Sequence, residues 1–142
     1  MRKVLGALAG TIAGVAVQAA IGYLSAIAYP RPAIDMSDRA QVAESFATSP
    51  PGASALYLAS FFLGAMIGAW LARRLARSDR IGWLPAGVLA AMALIVAIFY
   101  PEPAWAQFGA FAAALVGGLI GGHLPAGIAA LAEGATATSD DA

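Results

Sequence analysis

Four apolar stretches, residues 4–29, 53–72, 81–100 and 104–124, contain no Asp, Glu, Lys or Arg. Each is close to the roughly 20 helical residues that a hydrocarbon core of about 30 Å requires. Inside such a core every backbone N–H and C=O must be satisfied within its own segment, which makes uninterrupted apolar runs fold as helices. The chain is 61% hydrophobic and 11% charged, whereas soluble domains average about 25% charged residues. A soluble fold of 142 residues could not hide that much apolar surface. The pattern predicts an all-α, polytopic membrane protein. Its single domain is a four-transmembrane-helix bundle over residues 1–135, and its outer loop, 30–52, carries a short extracytoplasmic helix. The small polar residues at 136–142 predict a disordered cytoplasmic tail.

Composition also narrows the chemistry. The formal net charge is zero, so no basic surface invites nucleic acid. There is no cysteine, which excludes disulfides, thiolate metal sites and thiol nucleophiles.

Charge placement predicts sidedness. Arg2 and Lys3 precede the first span, and Arg73, Arg74, Arg77 and Arg80 separate the second from the third; the two remaining loops hold only Arg31 and Arg39. Cytoplasmic segments are the ones enriched in Lys and Arg. Both termini and the 73–80 loop are therefore expected in the cytoplasm, with 30–52 and 101–103 outside, in a cell (inner) membrane. The loop arginines also suit anionic lipid headgroups. Trp70 and Trp83 at one end, and Tyr29, Tyr57, Tyr100 and Trp105 at the other, read as interfacial belts. A competing reading takes Met1-Arg2-Lys3, the first apolar run and Ala26-Ile27-Ala28 as a signal peptide. That run is well beyond the roughly 7–15 residues of a signal h-region.

Small residues recur every fourth position in the first span, at Gly6, Gly10, Gly14, Gly22 and Ala26, with Gln18 in the same stripe. Ser60, Gly64, Gly68 and Ala72 repeat the device in the second span, as do Gly117, Gly118, Gly121 and Gly122 in the fourth. The third has Gly87 and Ala91. In lipid, helices associate by close backbone approach at such positions. The stripes either pack the bundle or face another subunit. The glycine-rich first and fourth spans are where an intermolecular face is expected, so Gly14→Leu and Gly118→Leu are expected to disrupt assembly.

Two polar residues stand out. Gln18 lies near the middle of the first span, where an amide needs a partner; an interhelical hydrogen bond is the plain role and a pore or ligand cavity the sharper one. Thr11, Ser25 and Ser60 can bond back to their own helix carbonyls. His123, the only histidine, sits at the end of the fourth span, where the helix dipole favours it. It suits axial ligation or pH sensing but cannot alone build a zinc site.

The outer loop leaves the membrane through Tyr29-Pro30-Arg31-Pro32. Asp35 or Ser37 then caps a short helix over about 37–47, with Val42 and Phe46 on one face. This helix is either a lid on the bundle or a docking element. Glu102 lies between Pro101 and Pro103 in a tight turn.

No acid, base or nucleophile forms a catalytic constellation, and no metal or cofactor set is present, so enzymatic function is not expected. Cation-coupled transport normally keeps an ionisable residue within the membrane. The expected role is a structural or accessory subunit packing into a homo-oligomer or a larger membrane complex, with membrane lipids and other membrane proteins as partners. The alternative is a passive channel or carrier for a small neutral or weakly charged solute.

Overall fold

The helices follow the apolar runs. In the computed structural model, residues 1–30, 35, 37–99 and 103–124 are described, with the side chains of Arg39 and Asp79 excepted. The tail at 136–142 and Pro101-Glu102 lie outside the described residues. The elements are α1 (Arg2–Ala28), α2 (Arg39–Ala47), α3 (Pro51–Ala76), a 3₁₀ turn (Asp79–Gly82), α4 (Trp83–Phe99) and α5 (Ala104–His123). No strand occurs among the described residues. Four helical segments, Arg2–Ala28, Pro51–Ala76, Arg80–Phe99 and Ala104–His123, are long and apolar enough to cross a membrane. The chain is an all-helical, multi-pass membrane protein.

Local chemistry sets the boundaries. Pro51 opens α3 at a position where its missing N–H costs nothing. Leu124, extended before Pro125, closes α5. The second span runs past the expected end at Ala72 to Ala76, so Arg73 and Arg74 are helical rather than part of a loop. Arg, Leu and Ala are good helix formers, and the chain turns only at Arg77, which caps the helix with φ 49°.

The short helix is present but starts at Arg39, with Asp38 rather than Asp35 or Ser37 as its cap. The Asp38 carboxylate accepts from the backbone N–H of Ala40 (2.9 Å) and Gln41 (3.3 Å). Asp35 is committed to a turn of its own, accepting from the Ser37 hydroxyl (2.7 Å) and backbone N–H (2.9 Å). Those bonds favour the charged form and hold the Asp35 carboxyl below its ordinary value. Val42 is buried, and Phe46 meets Tyr57 edge-on at 6.1 Å, followed by Tyr57 on Phe61 at 5.4 Å. This aromatic ladder ties α2 to the core.

α3 is the central helix. Gly6, Gly10 and Gly14 of α1 lie on Ala76, Ala72 and the Gly64–Gly68 backbone in descending order, so α1 and α3 are antiparallel. On another face, Gly68 meets Pro85 and Gly64 meets Leu89 of α4, again antiparallel. Gly117 and Gly121 of α5 press on the carbonyls of Phe62 and Met66, which makes α5 parallel to α3; Gly118 faces Ala86 of α4. The core is built mainly from alanine: Ala65, Ala86, Ala90, Ala93, Ala110 and Ala114 surround Phe61 and Leu89. Burying alanine against lipid-like surroundings gains little by the hydrophobic effect. Dispersion contacts at short interaxial distance hold the bundle instead.

Most positions of the stripes therefore meet a helix of the same chain. Gly14 and Gly118, read from sequence as candidates for an intermolecular face, are covered by Gly64 and Ala86 of the same molecule. Three positions read as packing sites, Gly22, Gly87 and Gly122, face open space. A stripe of period four on a helix of 3.6 residues per turn drifts by about 40° at each step, so a straight partner can follow only part of it.

Candidate functional site

α1 is lightly held. Only 17% of its apolar window is buried, against 39% for α3. Its contact with α3 is intimate up to Gly14, where a methyl group would lie 2.8 Å from the Gly64 carbonyl oxygen. Gln18 comes next, and a methyl at Gly64 would lie 3.2 Å from its Cβ. Beyond that point the helices part. They meet again at the far end, where the Tyr29 ring occupies the space over Gly52 that any side chain there would fill.

Between these two contacts lies a groove of about 550 Å³. α1 contributes Gln18, Gly22, Ser25 and Tyr29, and α3 contributes Tyr57 and Ser60. Ser60 is buried and donates to the Tyr57 carbonyl at 2.7 Å. This is the local back-bond that serine adopts in apolar helices. The Gly14 and Gly64 backbones close the groove toward the basic end of the bundle. Tyr29 separates it from a smaller cavity of about 340 Å³ beside Ser45, Thr48 and Ser49.

Tyr29 and Tyr57, read from sequence as belt residues, also line this groove. The signal was the spacing of Ala53, Tyr57 and Ser60, which continues the Ser60, Gly64, Gly68 face of α3. Gln18 lines the same groove as Ser60 and Tyr57, so α1 and α3 present polar groups to one another at depth.

The basic end is differentiated. Arg73, half-buried, donates from its guanidinium to the carbonyl of Gly122, with a longer contact of 3.4 Å to that of Leu124. The last carbonyls of a helix have no intrahelical donor, and a cation there also meets the negative end of the dipole. Arg73 is thus a cross-helix cap that fastens α5 to α3, a structural role beyond its expected lipid-facing one. Arg74 lies over the Trp70 ring at 5.3 Å. Arg77 and Arg80 are exposed. His123 is exposed, with Nδ1 at 2.7 Å from the Leu119 carbonyl one turn back. Among the described residues, no group of three or more His, Cys, Asp or Glu side chains could hold a metal ion. No protein-family model, curated protein or solved structure matches the chain.

Proposed function

We propose that this chain is a structural or accessory membrane subunit, and that the α1–α3 groove receives a transmembrane helix from a second copy or a partner subunit. One observation carries the reading. The small residues Gly22 and Ala26 continue a packing stripe past the point where α3 leaves it, and Gly22 has nothing within 4 Å. Close-packing surface of this kind in lipid is suited to another helix, and Gln18 at the groove floor suits an interhelical hydrogen bond.

Native mass spectrometry of the full chain, extracted from its host in mild detergent, tests this. A stoichiometric second chain is expected, and Gly22→Leu should release it without loss of helix content. A lone chain, or a complex indifferent to Gly22→Leu, would overturn the reading.

The shared polar lining of Gln18, Ser25 and Tyr57 favours a second reading, passive movement of a small neutral or weakly charged solute. The backbone closure at Gly14 and Gly64 weighs for the first, because it leaves the groove blind at its inner end. Protein-dependent liposome flux of a small neutral solute, abolished by Gln18→Leu, would reverse the order.

The bundle gathers Arg2, Arg73, Arg74, Arg77 and Arg80 at one end, since Gly6 touches Ala76, and carries α2 at the other. By the positive-inside rule the basic end faces the cytoplasm of a cell (inner) membrane, and α2 is extracytoplasmic. Single cysteines can be read cleanly in this cysteine-free chain. Thr48→Cys in intact cells should react with an impermeant maleimide, and Ser78→Cys should react only after lysis. The opposite pattern would invert the topology.

A further inference from the structure

We propose that a groove at the basic end binds one anionic phospholipid. It lies between the start of α1 and the end of α3, has a volume of about 660 Å³, and is lined by Arg2, Leu5, Ala9, Arg74, Leu75 and Arg77. Arg2 comes from one helix and Arg74 and Arg77 from the other, so three guanidinium-bearing side chains border one space. The carboxylates whose side chains are described, Asp35, Asp38 and Glu44, belong to the segment around α2 at the opposite end of the bundle; at the basic end Asp79 opens the 3₁₀ turn two positions after Arg77.

The groove lining mixes charge and hydrocarbon: Arg2 and Arg77 border it near the helix ends, while Arg74, on the level of Ala9, turns its guanidinium over Trp70. Arg2 and Ala9 are seven residues apart, about 10 Å along a helix axis. Leu5 and Leu75 are 65% and 42% exposed, so the apolar wall opens sideways to the bilayer. Trp70 carries the Arg74 guanidinium on its face, which puts an interface-favouring indole within one turn of the cluster. A free inorganic anion would satisfy the arginines and leave the leucine wall unused. A neutral lipid would use the wall and leave the arginines unmatched. An amphiphile with a phosphate head and an acyl chain matches both kinds of lining, and basic pockets between membrane helices take such headgroups.

The site differs from a diffuse attraction of the arginine-rich turn for charged membranes. It includes Arg2, which lies more than 70 positions away in sequence, and omits Arg73 and Arg80. It is independent of the docking groove at the far end of α1.

The test is retention of lipid by the full chain in native mass spectrometry, with phosphatidylglycerol and phosphatidylcholine of matched acyl chains supplied at equal mole fraction. One phosphatidylglycerol per chain is expected to survive activation that strips phosphatidylcholine. Each arginine removed should weaken retention roughly fivefold, and the Arg74→Gln, Arg77→Gln double variant roughly twenty-fivefold. Arg80→Gln should leave it unchanged. Circular dichroism reads folding separately. Should the double variant fail to fold, Arg2→Gln, an exposed change on the first residue of α1, decides the matter alone. Equal retention of the two lipids, an equal loss with Arg80→Gln, or displacement of phosphatidylglycerol by inorganic phosphate would overturn the proposal.

Discussion

Gly10→Leu is expected to detach α1 from the bundle. A single methyl group at this position would already lie 2.5 Å from both the Gly68 carbonyl oxygen and the Ala72 Cβ. Backbone oxygen cannot rotate away, so a leucine forces the whole helix outward. Overpacking a formed core costs about 1–3 kcal/mol. Here the cost is larger, because separation at Gly10 also opens the contacts of Gly6 and Gly14 one turn to either side. Those three glycines are the buried residues of α1, and nothing comparable holds its outer half. We expect a loss of about 3 kcal/mol or more, measured by unfolding in mixed dodecyl sulfate micelles and followed by circular dichroism. Gly22→Leu, in open space, should not destabilise, and helix propensity favours it by up to about 1 kcal/mol. Limited proteolysis should cut near α1 in the first variant only. Equal stability of the two variants would mean that α1 does not pack on α3 as described.

Gly10 and Gly22 also mark what could be read from the sequence. Both belong to one stripe of period four, and nothing in the residue type distinguishes them. The spans themselves were legible because lipid leaves the backbone so few options: long charge-free runs form helices, and their ends fall near the charges. Which stripe meets which was not legible. A glycine repeat says that some backbone comes close, and it carries no label for the partner. The pairing emerges only once α3 is central, with Gly64 and Gly68 serving α1 on one side and Leu89 and Pro85 of α4 on another. The arginines have the same ambiguity. Arg73 and Arg74 are adjacent and chemically identical, yet a 100° rotation per residue sends one toward the end of α5 and the other onto Trp70. The groove was half legible. Gln18 and Ser60 were visible as deep polar residues, while the divergence of α1 from α3 that opens a space between them depends on where the stripe drifts out of register.

Gly121→Ala and Gly122→Ala, one residue apart, are expected to move stability in opposite directions. A side chain at Gly121 would meet the carbonyl of Met66, and one at Gly117 the carbonyl of Phe62 one turn earlier. A methyl group at Gly121 falls on the Met66 oxygen, which belongs to the central helix and is fixed by α1 and α4 on its other faces. α5 must therefore retreat, giving up dispersion contacts and any weak Cα–H···O bond at both glycines. The expected loss is about 2–3 kcal/mol. A methyl group at Gly122 meets nothing within 4 Å, and the Gly122 carbonyl that accepts from Arg73 is retained in alanine. Only backbone entropy changes there, and it favours alanine by up to about 1 kcal/mol, less in a last helical turn. The same micelle titration reads both variants, and a gap of about 3 kcal/mol between neighbours is the expected result. If both substitutions were neutral, α5 would not be seated on the carbonyls of α3. If both were destabilising, the face of Gly122 would be covered in the membrane by another helix, which would bring that face into the assembly along with Gly22.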